Sequence, residues 1–545
     1  MSSPSGLRSF TPAPLPLEVR QSYLHNGWWD HTTMPELLLT DLRRRPSQRI
    51  TLWTNRTRRD ETFSSLESAA RRFASGLLSH GVGGGERVVL WLPNGWEALV
   101  AFVGAAVAGA VVVPVAPFYG RKDVLEVVNA SAASAIITCG NRNRRDHLTE
   151  VCDSRADMPT LRIVVGCQGD ADGPSSRGIV AFEDLLDGPL ADPWPRFAED
   201  ACLLAFTSGT SGAPKAVVHT HQTLAAEVRL HLTAIVPAAS TPQITASPIA
   251  HAAGMTLGML APIHRGEPIE LIDTFDVDFL LDTALAEGVA PGGGASVFLS
   301  ALIDHPKFTD ELARRMGYVI LGGSTVPESL VTKAAERGVT VLRCYGLTEH
   351  PTVSAGCMAD DRTALARTDG RLLTGVEVQI RDVDGTVLPA DAEGGIFTRG
   401  PDRCAGYLQP DVTAEAFDAG GWLDTGDIGV LDAQGYLAVT DRSKDLIIRN
   451  GVNIAPAEVE NALMTCSAVA EVAVVGVPHA RTGERAVAVV VPCHHDSVSL
   501  SVLTDHLAKL GVARPKWPEQ LELVDHLPRT ASGKVRKTEL RKAIT

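Results

Sequence analysis

Residues 207–215 read TSGTSGAPK and directly follow the apolar, strand-like run CLLAF at 202–206. The backbone N–H groups and hydroxyls of such a glycine- and hydroxyl-rich loop can surround phosphate oxygens, and Lys215 adds a positive charge. The stretch is not a Walker A loop, because the GxxxxGK(S/T) spacing is absent and a proline precedes the lysine. A strand that runs into this loop indicates either a phosphate-binding loop or a plain Ser/Gly linker.

Short β-branched runs alternate with helix-like stretches on both sides of this loop. They read RVVLWLP at 87–93, AIITC at 135–139, LRIVV at 161–165 and YVIL at 318–321. This alternation predicts an α/β fold with parallel sheets. After about residue 370 short strands and hairpins follow, with Asp384 and Gly385 at one turn, which predicts a β-rich subdomain.

The pattern changes a second time near Asp441. From Arg442 onward short helices and strands are mixed, as in PAEVENAL and EVAVVGV. We therefore predict a large N-terminal domain, residues 1–441, with two sheet-and-helix subdomains plus the β-rich one. A small α+β domain, residues 442–545, follows it.

The composition is that of a globular, acidic protein. Of 545 residues, 45% are hydrophobic and 21% charged, and 50 Lys plus Arg against 64 Asp plus Glu give a net charge of −14. A net negative charge repels the phosphate backbone of nucleic acids, so no nucleic acid partner is expected. Nine cysteines without a CxxC pair indicate neither a disulfide framework nor a zinc site, and the start lacks an apolar segment. We therefore expect a cytoplasmic protein.

The run from Ala98 to Val115 is long and apolar enough to raise the alternative of a membrane span. Gly109 and Pro114 interrupt it. We expect a buried helix, a turn and the buried strand AVVVPV at 110–115 instead, and hence no membrane span.

Four further motifs form a pattern with the glycine-rich loop. They are YGLTE at 345–349, GWLDTGD at 421–427, DRSKDLIIRNGVNIAPAEVE at 441–460 and PRTASGKVRK at 528–537. In order and spacing these five motifs resemble those of the AMP-forming acyl- and aryl-CoA synthetases. These enzymes belong to the adenylate-forming superfamily, which also contains luciferases and peptide-synthetase adenylation domains. The resemblance covers essentially the whole chain. It implies that the C-terminal domain is mobile and that the protein uses ATP, Mg²⁺ and coenzyme A.

The resemblance also assigns roles to residues of these motifs. Tyr345 would lay its ring against adenine, Glu349 would hold Mg²⁺, and Thr348 would donate to a phosphate oxygen. Asp427 would accept hydrogen bonds from both ribose hydroxyls. Taken alone, Tyr345 would be read as a core aromatic and Asp427 as a turn residue. The implied nucleotide- and CoA-binding set is Thr207, Ser208, Gly209, Thr210, Ser211, Gly212, Lys215, Gly322, Gly323, Ser324, Tyr345, Gly346, Asp427, Arg442 and Gly451.

Two lysines of the C-terminal domain have different implied roles. By the resemblance Lys534, in TASGKVR, enters the active site for the first half-reaction; the alternative is an exposed lysine in a basic tail. Lys444 matches the hinge about which the domain turns. That rotation would bring the Gly451 segment to the channel for the CoA thiol.

His251, in SPIAHAAGM, matches the residue that walls the acyl pocket and gates the thiol channel. It completes an implied catalytic set with Lys534, Thr348 and Glu349. In amino-acid-activating relatives the next residue is acidic, whereas here it is Ala252, so a free amino acid is not an expected substrate. Small and apolar residues at 291–298 leave room for a medium-chain, cycloaliphatic or aromatic acid.

Two groups of histidines and cysteine could be mistaken for metal sites. They are His219 with His221, and Cys493 with His494 and His495. Neither group has further ligand spacing, so we assign both to surface or strand positions.

The sequence thus predicts an ATP-dependent carboxylate–CoA ligase that forms acyl-AMP and then acyl-CoA. One alternative is a stand-alone adenylation enzyme that loads a separate acyl carrier protein. Another is a non-catalytic nucleotide-binding module, against which Glu349, Asp427 and Lys534 speak together. The expected partner is a small carboxylic acid; a homodimer and a carrier protein are left open.

Overall fold

The structure is a computed structural model with short gaps. It describes residues 10–142, 145–167, 178–207, 215–237, 241–292, 294–323, 326–442, 445, 447–449, 452–479, 483–493, 498–510, 512, 514–529 and 535–544. A large N-terminal α/β part is followed by a smaller C-terminal part, as the sequence predicts. The boundary at residue 441 itself stays a prediction.

The β-branched runs of the first half form one mostly parallel sheet. Over the described residues its strands are, in spatial order, Gly406–Tyr407, Lys215–Thr220, Ala201–Thr207, Val111–Pro114, Arg87–Trp91, Ala135–Cys139, Ile163–Cys167 and Val180–Ala181. Lys215–Thr220 runs antiparallel to both of its neighbours. The central strands are buried, which explains why they read as continuous apolar runs.

The apolar run that raised the membrane alternative lies inside this unit. It forms the helix Trp96–Val107, buried except at Glu97, and then the strand Val111–Pro114. This confirms the expected buried helix, turn and strand. In the part of the chain described, no helix has both the length and the apolar character that crossing a membrane requires. The helices of this part of the chain include Leu17–His25, Met34–Arg44, Phe63–Ser79, Arg121–Ser131 and His147–Asp153.

A second sheet-and-helix unit draws mainly on residues 241–372 and also on two strands near the N-terminus. One of its sheets consists of Tyr318–Leu321, Thr340–Leu347, His350–Ala355 and Arg371–Leu372, and another of Ile269–Ile272, Arg49–Thr54 and Thr57–Thr62. A short pair joins Gln243–Ile244 to Ala290–Pro291. The surrounding helices are Val277–Glu287, Ser296–Ile303, Asp310–Met316, Glu328–Glu336 and Arg362–Arg367.

Two further helices change their hydrogen-bonding pattern midway. One runs as α-helix over His221–Ala226, as π-helix over Glu227–Leu232 and again as α-helix over Thr233–Ile235. The other is α-helical over Ala252–Met255, π-helical over Thr256–Leu260 and α-helical again over Ala261–Arg265. The two π-helical segments contact each other. Such segments are rare and are frequent at functional sites.

The β-rich unit is an antiparallel sheet. Its strands are Glu377–Arg381, Glu393–Arg399, Leu423–Leu431 and Leu437–Arg442, with the helix Pro410–Ala416 between the second and third. The predicted turn at Asp384–Gly385 is confirmed, because the Asp382 N–H donates to the Thr386 carbonyl across it at 3.0 Å.

The C-terminal part has its own sheet and its own core. The strands are Val452–Ile454, Ile447–Arg449, Gly483–Pro492, Val469–His479 and Gln520–Leu523, and the helices Pro456–Leu463, Leu500–Lys509 and Lys537–Ile544. Its buried apolar clusters draw only on residues from Ile447 onward.

Candidate active site

A cavity of about 2530 Å³ is lined by residues of both the N-terminal and the C-terminal part. Ten of the site residues predicted from the sequence meet in its wall. These are Thr207, Lys215, His251, Gly322, Gly323, Tyr345, Gly346, Thr348, Glu349 and Asp427. The structure therefore brings together five stretches that lie far apart in sequence.

Tyr345 and Asp427 form one wall of this cavity. Tyr345 lies on the strand Thr340–Leu347, and its hydroxyl donates to Asp427 Oδ2 at 2.8 Å. Asp427 lies on the strand Leu423–Leu431, opposite Arg442 in the sheet register. Both are buried in the wall. An aromatic face beside a carboxylate acceptor suits a planar base joined to a sugar with vicinal hydroxyls.

Glu349 is held by Tyr407. The Tyr407 hydroxyl donates to Glu349 Oε1 at 2.7 Å, and Lys215 Nζ lies 5.8 Å from the centre of the Tyr407 ring. Burial first, and then the charge of Glu349, raise the pKa of Tyr407 far above its usual range, so its hydroxyl keeps its proton and donates. The Cys404 N–H donates to the Glu349 carbonyl at 2.7 Å, which fixes the backbone as well.

The second carboxylate oxygen of Glu349 suits a metal ion. Among the residues that the structure describes, none donates a hydrogen bond to Glu349 Oε2, and the residue lines the cavity. Magnesium prefers one or two carboxylates completed by phosphate oxygens and water. The donor set therefore fits Mg²⁺ carried by a nucleotide phosphate, and Glu349 would hold it.

The backbone around Thr348 is fixed from behind by His219. His219 Nε2 lies 2.8 Å from the Thr348 carbonyl oxygen and Nδ1 lies 3.2 Å from Thr223 Oγ1. A carbonyl only accepts, so Nε2 carries the proton, and Nδ1 accepts from the threonine hydroxyl. Desolvation lowers the pKa of His219, which keeps the ring neutral and this arrangement intact.

Gly322 and Gly346 occupy places where a side chain would collide with backbone. A Cβ on Gly346 would lie 1.9 Å from the Pro351 carbonyl oxygen, at a bulge in the hairpin that carries Tyr345 and Glu349. A Cβ on Gly322 would lie 2.7 Å from the Cys344 carbonyl oxygen. Glycine at these positions lets neighbouring chain segments approach closely along the cavity wall.

His251 precedes the helix Ala252–Met255 and faces the cavity. Its backbone N–H donates to the Pro248 carbonyl at 2.9 Å, and its own carbonyl accepts from Met255 at 2.9 Å. The ring is reached by solvent through the cavity, yet the enclosing walls desolvate it and lower its pKa. Small or apolar residues line the cavity around it and further on, among them Ala252, Ala253, Leu257, Val297, Phe298 and Ile320.

Several predicted site residues lie outside the described residues: Ser208, Gly209, Thr210, Ser211, Gly212, Ser324, Lys444, Gly451 and Lys534. The described ends of the glycine-rich loop are cross-strand partners, Thr207 opposite Lys215. The backbone of Arg442 is described, as the partner of Asp427. The roles of all of these residues stay predictions.

The sequence reasoning misplaced one histidine. His221 is neither on the surface nor in a strand; it begins a helix, is 2% exposed, and its Nδ1 accepts from the Met34 N–H at 3.1 Å. His219 does lie in a strand, also buried. Cys493 is exposed just after the strand Gly483–Pro492, and His494 and His495 lie outside the described residues.

Sequence reasoning also missed Tyr407 and the role of His219. Tyr407 stands in CAGYL, and the two residues on either side of it are uncharged. The pairing of its short strand with Lys215–Thr220 places it beside Lys215 and Glu349. Only a prediction of that strand pairing could have found it.

Comparisons with known proteins agree with this geometry. The family profile described as AMP-binding enzyme matches residues 40–408, and the AMP-binding enzyme C-terminal domain matches residues 458–534. The chain is 29% identical over 528 residues to the medium-chain fatty-acid–CoA ligase of Escherichia coli (strain K12), an alignment that covers 96% of this chain and 93% of that protein.

A second relative and a solved structure extend the match. Identity is 34% over 500 residues to a methyl-dioxo-octahydro-indenyl-propanoyl:CoA ligase of Rhodococcus jostii (strain RHA1), with 88% of this chain and 93% of that protein covered. The crystal structure of ATP-bound MatB from Rhodopseudomonas palustris superposes with a TM-score of 0.82 at 26% identity, covering 94% of this chain and 99% of that one. Both family profiles, over most of the chain, lead to one conclusion: this protein belongs to the AMP-binding enzyme family.

Proposed function

We propose that the protein is an ATP-dependent carboxylate–CoA ligase that forms acyl-AMP and then acyl-CoA. The observation that carries the proposal is the meeting of Tyr345, Asp427, Glu349 and Lys215 in one cavity. These residues offer an aromatic face, an acceptor for sugar hydroxyls, a metal ligand and a phosphate-directed cation, which together match MgATP. The family membership and the CoA-ligase relatives support the same reaction.

In the first half-reaction a carboxylate oxygen of the acid attacks the α-phosphorus, and the bond to pyrophosphate breaks. Both reactants are anions, so the protein's work is to position them and offset their charge. Magnesium would supply charge neutralisation at the phosphates. Lys215 and Thr348 face the same cavity, and Lys534 is the further lysine that we assign to this step. Acyl-AMP and pyrophosphate are the products.

In the second half-reaction the CoA sulfur attacks the acyl carbon, and AMP leaves with the electrons of the broken C–O bond. We assign the rotation that separates the two steps to a hinge at Lys444, which withdraws Lys534 and brings the Gly451 segment to the cavity. His251 forms the wall between the acyl space and the thiol entry in this arrangement. Its lowered pKa keeps the ring uncharged beside an acyl group.

The acid that we propose is a medium-chain, cycloaliphatic or aromatic carboxylic acid without an amino group. Ala252 and Ala253 follow His251, and Phe298 packs on Phe275 with ring centres 4.4 Å apart in the same cavity wall. The two relatives described above act, by their names, on a medium-chain fatty acid and on a fused-ring propanoate. Apolar walls of this kind suit a bulky hydrocarbon body.

An ATP-dependent hydroxamate-trapping screen tests the proposal. Hydroxylamine intercepts acyl-AMP, so each acid that the enzyme activates gives a coloured hydroxamate, and a parallel assay with free CoA follows acyl-CoA directly. We expect activation of members of the three acid classes and thioester formation with free CoA. Activation without thioester formation would favour loading of a carrier protein instead. Absence of trapping across all three classes would contradict the proposal.

We place this activity in the cytoplasm. Cys357 and Cys493 are exposed and are not joined in a disulfide. Free exposed thiols are typical of a reducing compartment.

A further inference from the structure

Three ligand-type side chains converge behind the strand that follows Glu349. Glu227, His231 and Asp402 each offer one ligand atom within 4.8 Å of the other two, and all three residues are fully buried. None of them lines the active-site cavity. We propose that they form a binding site for a divalent transition-metal ion of the Zn²⁺ type, separate from the Mg²⁺ that accompanies ATP.

In each of the three side chains, the polar atom that would not bind the ion makes a hydrogen bond to a neighbouring residue. Thr352 donates to Glu227 Oε1 at 2.7 Å, and His350 Nε2 lies 2.9 Å from Asp402 Oδ1. His231 Nε2 lies 2.9 Å from the Thr374 carbonyl oxygen. Metal ligands are usually oriented in this way, through a hydrogen bond to the atom that does not bind the ion.

The tautomer of His231 requires a positive species at the centre of the site. A carbonyl only accepts, so Nε2 carries a proton, and Nδ1 points towards two carboxylate oxygens. Asp402 Oδ2 is buried and accepts no hydrogen bond from the residues that the structure describes. A neutral Nδ1 would face these oxygens with its lone pair, which is unfavourable unless a cation or a proton lies between them.

The distances fit a tetrahedral metal ion. His231 Nδ1 lies 3.2 Å from Glu227 Oε2 and 3.4 Å from Asp402 Oδ2. A single linear hydrogen bond between an imidazolium and a carboxylate is shorter, at about 2.7–2.9 Å. Ligands about 2.0–2.1 Å from a tetrahedral ion lie about 3.3–3.4 Å apart, which matches both separations.

The charge and type of the ligands select the class of ion. One imidazole and two carboxylates suit Zn²⁺ and its neighbours, whereas Mg²⁺ prefers oxygen alone. A divalent cation offsets both buried carboxylates, while a proton on His231 offsets one. Glu227 and His231 are four residues apart on the π-helical segment, and Asp402 comes from the loop that leads to Tyr407. The ion would therefore tie this helix to the segment that positions Glu349.

Metal content measured on the full-length protein tests the site. Tag-free protein is incubated with Zn²⁺, passed over a chelating resin and analysed by elemental mass spectrometry. We expect about one Zn²⁺ per chain in the wild type, the occupancy of a site with three protein ligands. Asp402→Asn and His231→Gln should lose most of it. His264→Ala, which removes a partly buried histidine–aspartate pair that includes none of the three proposed ligands, is the matched control and should retain the wild-type content.

Loading the wild-type protein with Co²⁺ gives a second test of metal binding, which needs no variant. Cobalt in a tetrahedral site with nitrogen and oxygen ligands shows visible absorption bands that aqueous Co²⁺ lacks. We expect these bands in the wild type, and Zn²⁺ should abolish them by competition. A wild type that retains neither Zn²⁺ nor Co²⁺ would overturn the proposal and leave His231 as a buried imidazolium. A folded Asp402→Asn variant that binds like the wild type would overturn it as well.

Discussion

The hydroxyl of Tyr345 donates a 2.8 Å hydrogen bond to the carboxylate of Asp427, which joins two different sheets across 82 residues of sequence. The two side chains lie in the wall of one cavity and are largely buried. In the proposed function one contacts the base and the other the ribose of ATP. The hydrogen bond therefore fixes the relative position of the two halves of the nucleoside site before ATP arrives.

Removing the Tyr345 ring and removing its hydroxyl should have separable effects. Tyr345→Ala loses a stacking face worth about 1–3 kcal/mol, so the KM for ATP should rise about five-fold or more. Tyr345→Phe keeps the ring but deprives buried Asp427 of a donor, which should lower the free energy of unfolding by about 1–3 kcal/mol. Steady-state kinetics measure the KM for ATP, and urea unfolding measures the free energy of unfolding. An ATP KM that rises equally in both variants would contradict the stacking role.

Glu349→Gln keeps the shape of the side chain and removes its charge. If this carboxylate holds Mg²⁺, adenylation should fall by about 100-fold or more, and the Mg²⁺ concentration for half-maximal rate should rise. Pyrophosphate release measured across a Mg²⁺ series gives both values. Tyr407→Phe is the matched control, because it removes the hydrogen bond to Glu349 and leaves the charge. An unchanged Mg²⁺ requirement in Glu349→Gln would show that the ion is held elsewhere.

Lys534 should serve adenylation and not thiol transfer. Loss of one preorganised donor where two anions meet costs about 3–4 kcal/mol, so Lys534→Ala should lose two to three orders of magnitude, roughly, in acid-dependent pyrophosphate exchange. Synthetic acyl-AMP supplied with CoA bypasses that step, and its conversion should survive. An untouched exchange rate would remove Lys534 from the site, and equal damage to both steps would indicate a structural role.

Ala252 should make the enzyme reject amino acids. An ammonium group placed beside it finds no counter-charge at this position, and burial of an unpaired charge costs several kcal/mol. We expect hydroxamate formation with an α-amino acid to fall far below that with its deaminated analogue. Ala252→Asp should narrow this difference. Equal rates for the two acids with the wild type would contradict the proposed pocket.

His221 should make stability depend on pH below neutrality. Burial lowers its pKa to about 4, against about 6.5 in an unfolded chain. Between these values the unfolded chain binds a proton that the folded chain does not, so the free energy of unfolding falls as the pH falls. Urea unfolding at several pH values should show this slope, and His221→Gln should flatten it. The exposed His25 provides the control, His25→Gln, which should leave the slope unchanged.

Local patterns in the sequence predict much of this fold. The apolar run at 98–115 was interrupted where the helix ends and the strand begins, and the Asp384–Gly385 turn lies between two strands. Contacts between distant segments could not be predicted in this way. Tyr407 reaches Glu349 over 58 residues and His219 reaches Thr348 over 129, so both depend on strand pairing. The spacing of Glu227 and His231 was visible, but their third partner, Asp402, was not.

The separate core of the C-terminal part bears on the energy of the rotation that we propose for it. Among the described residues, its buried apolar clusters contain no side chain from before Ile447, and the clusters of the larger part contain none from after Val439. Rotation of this part would therefore leave both cores packed and exchange only surface contacts for water. The free-energy difference between two orientations is then set by hydration and by whatever occupies the cavity, so a bound nucleotide can decide between them.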